Sequence, residues 1–248
     1  MKPVIFFIHG IGGAGEAFAR HVSHFSDRYT PIGWDVPGYG GRPMPDDMSF
    51  ESICQTLMDD LDAAGGGKAI LVGHSFGGMV AQVAVRMFPE KISGLVLCGT
   101  STAFGSADGE FQRKFMAARL APLEAGKTLA DIAPTSIRGL ASDDADEEGI
   151  TLGIKCMSEV PEATYRKVLE LLAGFDERSN LAKITCPTLL ISGENDAAAP
   201  AQMMERMAGK IPGSKYEMMA GCGHFMALER PDKFNAIIDT FLEEASNG

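Results

Sequence analysis

Residues 69–88 read AILVGHSFGGMVAQVAVRMF, and the order of residue types in this stretch decides the fold. A short apolar run typical of a buried strand leads into Ser75, and an apolar helical pattern follows from Phe76. The serine stands in a G-x-S-x-G frame, whose glycines let a strand and a helix approach closely. Such a turn holds a serine hydroxyl out above a sheet, so the pattern predicts that Ser75 is a nucleophile. The alternative is an ordinary glycine-rich turn whose serine has no chemical role.

The same alternation of strand and helix patterns extends in both directions from this stretch. The predicted strands are Val4–Ile8, Thr30–Val36, Ala69–Gly73, Ile92–Gly99, Thr188–Ser192 and Lys215–Met219, and the predicted helices are Glu16–Asp27, Ser49–Ala64, Phe76–Phe88, Ala201–Lys210 and Lys233–Glu244. Most of these strands are continuously apolar, as expected for strands that are buried on both faces. We therefore expect an α/β fold: a mostly parallel sheet of about six strands with helices on both faces.

Between about residues 102 and 185 the alternation stops. Helical patterns, proline and glycine breaks and an acidic run at 143–148 fill this segment, and it shows no strand pattern. We predict a core of residues 1–101 and 186–248, interrupted by a helical insertion over 102–185. The acidic run is expected to be a solvated loop or a helix start. Apolar helix positions of the insertion are expected to pack on the core, with some lining a pocket: Phe111, Phe115, Met116, Leu120, Ile154, Met157, Leu169, Leu172 and Phe175.

A serine nucleophile needs a base and an acid that orients the base. Asp196 lies just past the fifth predicted strand, and His224 lies just past the sixth. Loops at the carboxyl ends of strands are where open α/β sheets build their sites. A triad of Ser75, His224 and Asp196 is therefore predicted, with Glu194 as the alternative acid because the same loop carries it.

The other histidines are expected to have structural roles. His21 and His24 lie on an early helix and are assigned to the surface or to packing. His74 is adjacent to the serine and points in the wrong direction for a base. His9 is expected to tie down the loop that follows the first strand.

Two backbone amides are predicted to stabilise negative charge on a substrate oxygen. The Phe76 N–H stands at a helix N-terminus, where donors point toward developing charge. The second donor is expected from the glycine-rich loop after the first strand, with Ile11 N–H preferred and Gly12 N–H second.

The composition of the chain limits which partners and which cellular location are expected. The chain has 248 residues and a formal net charge of −11, which argues against binding nucleic acid or an anionic membrane. Its five cysteines are an odd number without a CxxC pair, which fits free thiols in a reducing cytosol. The apolar run near the N-terminus is too short for a signal peptide, and no segment has the length of a membrane span. We expect a cytoplasmic location, and the oligomeric state stays open.

In five segments the sequence resembles the α/β-hydrolase superfamily: FFIHGIGG (6–13), DVPGYGGRP (35–43), GHSFGG (73–78), TLLISGENDAAAP (188–200) and GCGHFMALERP (221–231). The resemblance implies the triad of Ser75, Asp196 and His224, and a helical cap over the site at about 102–185. The first strand begins at Val4, which leaves no room for the two extra strands of many members. The resemblance then implies a six-stranded parallel sheet, as in the plant hydroxynitrile lyase and salicylate-ester esterase branch.

Two longer segments, GWDVPGYGGRP and GFDERSNLAKITCPTLLISGENDAAAP, look most like bacterial 3-oxoadipate enol-lactonase-like hydrolases. This resemblance implies a small ester or lactone substrate, cleaved through an acyl-enzyme without a metal or an organic cofactor. Carbon–carbon hydrolases of the meta-cleavage type and hydroxynitrile lyases share the triad and stay open as alternatives. A ligand receptor without catalysis is a further alternative. Dehalogenases and epoxide hydrolases of this fold use an aspartate nucleophile, and Ser75 argues against both.

Overall fold

The computed structural model describes residues 2–106 and 108–247, with the backbone alone for 246 and 247. Within these residues, six strands form one parallel sheet in the order β2-β1-β3-β4-β5-β6. The strands are Val4–Ile8 (β1), Thr30–Trp34 (β2), Ala69–His74 (β3), Ile92–Cys98 (β4), Thr188–Gly193 (β5) and Lys215–Met219 (β6). The predicted α/β sheet is confirmed, and all its pairings are parallel.

Helices connect successive strands, and two more follow the last strand. They are Ala19–Phe25 (α1), Phe50–Ala63 (α2), Phe76–Met87 (α3), Glu110–Glu124 (α4), Leu129–Arg138 (α5), Glu147–Ser158 (α6), Glu162–Ala173 (α7), Ala201–Ala208 (α8), Met226–Glu229 (α9) and Pro231–Asn247 (α10), with 3-10 turns at Gly15–Phe18, Pro89–Lys91 and Leu181–Lys183. No helix among the described residues is long and apolar enough to cross a membrane.

Hydrophobic packing on both faces of the sheet explains its continuously apolar strands. Along β1, Phe6 and Ile8 contact one core cluster with residues of α2 and α3, whereas Ile5 and Phe7 contact a second cluster with residues of α1 and α10. Successive strand residues point to opposite faces, so a strand covered on both sides is apolar at every position.

The first predicted helix differs from the structure at its start. The sequence pattern predicts one helix over Glu16–Asp27, but a 3-10 turn precedes α1, which begins at Ala19. Gly15 packs directly on Gly33, since a Cβ on Gly15 would lie 2.2 Å from the Gly33 carbonyl oxygen. The Gly15 amide also donates to Asp35 Oδ1 at 2.7 Å. These contacts hold the entry to the helix in a tight turn.

Helices α4–α7 lie in the segment that connects β4 to β5, residues 99–187, which we call the β4–β5 segment. Its two ends are joined: Phe104 N–H donates to Phe175 O at 2.9 Å, and Glu177 N–H donates to Thr102 O at 2.8 Å. The acidic run begins α6, where Asp146 Oδ1 accepts from the Gly149 amide. The division into a core and a helical cap domain stays a prediction.

Candidate active site

Ser75 occupies the turn between β3 and α3. Among the described residues other than glycine, it alone has a positive φ, at 53°. A Cβ on Gly73 would lie 2.4 Å from Gly77 O, and one on Gly77 would lie 2.1 Å from Ile8 O. Larger residues at these two positions would push the helix from the strand, so the glycine frame is required by close backbone approach.

The end of β4 anchors this turn from the side. The Ser75 amide donates to Cys98 O at 2.9 Å, and the Thr100 hydroxyl donates to Ser75 O at 2.7 Å. A residue held at positive φ without glycine is strained and persists only when its surroundings fix it. These two hydrogen bonds contribute to that fixation and leave the side chain free.

Asp196 and His224 form a buried hydrogen-bonded pair at the same edge of the sheet. His224 Nδ1 lies 2.8 Å from Asp196 Oδ2, and the two side chains are 7% and 0% exposed, respectively. A carboxylate only accepts hydrogen bonds, so Nδ1 carries the proton and Nε2 of the neutral ring is free to accept one. Asp196 Oδ1 accepts from the amides of Ala198 and Ala199, both at 2.8 Å.

The charge state of Asp196 follows from these contacts. Burial by itself raises the pKa of Asp196, but the hydrogen bond and charge of His224 and the Ala199 and Ala198 amides lower it further, so the net pKa lies below its usual value. The alternative acid, Glu194, is exposed and accepts from the Gly221 amide at 2.9 Å. The structure thus brings Asp196, and not Glu194, to the histidine.

A cavity of about 350 Å³ joins these groups, and Ser75, His224 and Ile11 all line it. Its walls are mostly apolar. The Ser75 hydroxyl makes no hydrogen bond with another described residue, and catalytic hydrogen bonds are commonly long before substrate binds. Within residues 2–106 and 108–247, the backbone amides of Ile11 and Phe76 likewise have no acceptor. Phe76 begins α3, whose first amides have no acceptor within the helix, and its side chain is buried.

The loop that carries Ile11 is fixed by two buried side chains. The Tyr39 hydroxyl donates to Ile11 O at 2.9 Å. His9 Nε2 accepts from the Val36 amide at 3.1 Å, so Nδ1 carries the proton and donates to Gly10 O at 2.8 Å. The expected structural role of His9 agrees with these contacts.

Three residues near His224 make close approaches that no local pattern in the sequence predicts. His74 donates from Nε2 to the His224 carbonyl at 2.8 Å, and burial, with the charge of His224, lowers the pKa of His74 to about 3. Leu140, in the β4–β5 segment, accepts from the His224 amide at 2.8 Å. A Cβ on Gly99 would lie 3.1 Å from Asp196 Oδ2, so a side chain there would crowd the pair.

Glu229 is a fully buried carboxylate beside the histidine. It accepts from the two amides that flank His224, those of Gly223 at 2.8 Å and Phe225 at 2.9 Å. It also accepts from the Ser142 amide and hydroxyl at 2.9 and 2.7 Å. Glu229 therefore links the histidine loop to the β4–β5 segment. Its charge gave no signal of burial in the sequence.

Four of the nine apolar positions considered in the sequence line the cavity: Phe111, Phe115, Met157 and Leu172. The other five contribute to the hydrophobic core of the described chain instead: Met116, Leu120, Ile154, Leu169 and Phe175. His21, expected at the surface or in packing, is buried and bonds Asn235 at 2.6 Å.

The fold and the position of the serine define the class of the protein as an α/β hydrolase. A thermophilic esterase from Thermogutta terrifontis, solved with malate bound, has the same fold, with a TM-score of 0.87 and 25% identity over 99% of this chain and 91% of that chain. The model of the alpha/beta hydrolase family matches residues 5–237, and the chain belongs to this family.

Curated relatives are of several kinds. The chain is 27% identical to the putative carbamate hydrolase RutD of Klebsiella pneumoniae, over 95% of this chain and 90% of that protein. It is 25% identical to 3-oxoadipate enol-lactonase 1 of Acinetobacter baylyi, over 97% of this chain and 89% of that protein. It is 26% identical to the polyketide synthase ThaQ of Burkholderia thailandensis over 98% of this chain, which spans 12% of that protein.

Proposed function

We propose that this α/β hydrolase is a serine hydrolase that cleaves a small carboxylic ester or lactone. The observation that carries the proposal is the joint placement of Ser75 and the Asp196–His224 pair at one cavity. The enol-lactonase and esterase relatives support this bond type, and they do not favour a carbon–carbon hydrolase or a hydroxynitrile lyase. The five cysteines are free thiols, which supports a cytoplasmic location.

The proposed mechanism uses groups of this chain and water. Ser75 Oγ attacks the carbonyl carbon while His224 Nε2 takes its proton, and Asp196 stabilises the imidazolium so formed. The amides of Ile11 and Phe76 donate to the oxyanion. His224 then protonates the leaving alkoxide. Water hydrolyses the acyl-enzyme by the same sequence of proton transfers and restores the Ser75 hydroxyl.

The test is ester hydrolysis by the wild-type chain and by Ser75→Ala. We expect a decrease in kcat of at least about 10⁴-fold, as for removal of a triad member. Ser101 also lines the cavity, away from the turn, and Ser101→Ala is the matched control, with an expected decrease of less than about tenfold. Mass spectrometry with a slowly released acyl group should locate the adduct on Ser75.

Three results would contradict this function. Full activity of Ser75→Ala would show that Ser75 is not the nucleophile. Turnover of a carbamate without turnover of any ester or lactone would show that the chain cleaves carbamates and not the proposed bond type. Binding of a ligand without turnover would favour the receptor alternative.

A further inference from the structure

Ile11, the second proposed oxyanion donor, lies between glycines, which give its loop little intrinsic backbone restraint. Its amide belongs to the peptide bond between Gly10 and Ile11, and the N–H and C=O of a trans peptide point in opposite directions. Gly10 O accepts from His9 Nδ1 at 2.8 Å and from the Gly13 amide at 3.0 Å. These two hydrogen bonds hold the peptide plane that carries the Ile11 N–H.

The Tyr39 hydroxyl holds the other side of Ile11. It donates to Ile11 O at 2.9 Å, so the peptide that follows Ile11 is also held. The Tyr39 side chain is buried, and its ring lies against the His9 ring, with the two ring centroids 4.6 Å apart. Burial raises the pKa of Tyr39, so its hydroxyl stays protonated and remains a donor. With the peptides on both sides held, both backbone dihedral angles of Ile11 are restrained.

Helix α7 of the β4–β5 segment packs on the turn that carries Tyr39. The buried Thr164 hydroxyl donates to Gly38 O at 3.0 Å. Gly38 has a φ of 91°, and a Cβ there would lie 2.8 Å from Thr164 Cγ2, so the turn touches the helix directly. Tyr165, the next residue of α7, lines the cavity. A continuous series of contacts therefore joins this helix to Ile11.

We propose that Tyr39 is a positioning residue for the Ile11 oxyanion donor, and that Thr164 makes this positioning depend on the β4–β5 segment. Tyr39 is not among the described residues that line the cavity, so its effect on the reaction passes through the backbone of Ile11. Oxyanion donors are effective because they are held in advance where the charge develops. This inference rests on the proposed function, since the oxyanion forms when Ser75 attacks the carbonyl.

The first test is Tyr39→Phe, which removes the hydroxyl and keeps the ring. Loss of an oxyanion donor costs about 10²- to 10³-fold in rate, and a displaced donor should cost less, so we expect kcat for para-nitrophenyl acetate to decrease by roughly tenfold with little change in KM. The adduct of phenylboronic acid with Ser75 resembles the tetrahedral intermediate. Its inhibition constant should therefore increase by a similar factor, because the lost stabilisation belongs to the transition state.

Two variants of Thr164 test the link to helix α7. Thr164→Val removes the hydroxyl and keeps the shape of the side chain, so we expect kcat to decrease about threefold. Thr164→Ser keeps the hydroxyl and should retain at least about half of the wild-type kcat.

The control is Ser93→Ala, which also removes a hydroxyl that donates to a backbone carbonyl. Ser93 Oγ donates to Ala69 O at 3.2 Å, at the start of β3, whereas Ser75 follows the end of this strand. We expect kcat of Ser93→Ala to stay within about twofold of the wild type. Urea unfolding of each variant shows which of them are folded under the assay conditions.

Unchanged kcat and unchanged inhibition in a folded Tyr39→Phe would overturn the inference and leave the serine hydrolase in place. A decrease in kcat without weaker boronic acid binding would also overturn it, since the loss would not concern the oxyanion. If only Thr164→Val is unaffected, Tyr39 keeps its role and the dependence on the β4–β5 segment fails.

Two further outcomes are decisive. If Tyr39→Phe does not fold, Thr164→Val decides by the same two measurements, because it leaves the Tyr39 hydroxyl in place. If the wild type shows no Ser75-dependent cleavage of any ester or lactone, the proposed function fails and this inference fails with it.

Discussion

The carboxyl edge of the sheet and the β4–β5 segment form the cavity in different ways. At the sheet edge, close backbone contacts position the three side chains of the proposed triad: Gly73 and Gly77 admit no Cβ beside Ser75, and Gly193 admits none against the Gly223 carbonyl in the His224 loop. The β4–β5 segment contributes side chains such as Phe111, which is 51% exposed. We therefore expect the backbone of the sheet edge to fix the geometry of the proposed triad, and side chains of the helices to contact the substrate.

The largest expected effect at the sheet edge is that of Asp196→Asn. An amide at this position no longer fixes the Nδ1–H tautomer of His224, so we expect kcat to decrease about 10⁴-fold with little change in KM. Glu194→Gln, in the same loop but exposed, is the control and should change kcat less than about twofold. Steady-state kinetics of the two variants test the assignment, and equal decreases would show that the loop acts through its net charge.

The next effect is on stability and compares a glycine in each region. Gly73→Ala should lower the free energy of unfolding by about 3 kcal/mol, because the new Cβ would meet backbone atoms that cannot move aside. Gly174→Ala, after α7, meets its nearest atom at 3.8 Å and should change stability by less than about 0.5 kcal/mol. Urea unfolding measures both, and similar values would break the comparison.

Glu229→Gln tests the link between the two regions. The amide nitrogen of glutamine would face N–H or O–H donors that the carboxylate now satisfies, so we expect a loss of about 2 kcal/mol in unfolding free energy. We also expect kcat to decrease, since one of the two amides that flank His224 loses its acceptor. Glu124→Gln, exposed at the end of α4, is the control. A fully stable Glu229→Gln with unchanged kcat would mean that the His224 loop is held without this carboxylate.

The smallest effect is expected in the β4–β5 segment, from Phe111→Ala. Losing part of an apolar wall should raise KM for an apolar ester about threefold, corresponding to less than about 1 kcal/mol of contact. Met218→Ala, at a similarly exposed residue of β6 that does not line the cavity, is the matched control. A decrease of kcat as large as that of Asp196→Asn would contradict the division of roles.

The features that could be predicted from the sequence are those with a local pattern. Buried parallel strands are apolar at every position, so β1 and β3 were placed to within a residue. The glycine frame of Ser75 is likewise a local requirement of the turn. Asp196 and His224 could be located because loops that follow neighbouring parallel strands end at the same edge.

Other features depend on distant segments and have no local pattern. Leu140 accepts from the His224 amide, and Ser142 donates to Glu229, only after the β4–β5 segment folds over the sheet. The periodicity of a helix gives its apolar face but not which neighbour covers it. For this reason Phe115 and Met116 could not be distinguished in the sequence: both pack against the core, but only Phe115 also lines the cavity.

The hydrogen bonds between Thr102–Phe104 and Phe175–Glu177 bring the two ends of a long segment together. Because these ends are joined, the residues between them can be more or fewer while the paired strands β4 and β5 keep their register. We therefore expect the sheet to tolerate a different helical segment inserted between residues 104 and 175. Such a segment would still need an acceptor for the His224 amide and a donor for Glu229, now provided by Leu140 and Ser142. The two ends of the segment are therefore the place at which we expect its helices to be exchanged without a change in the sheet.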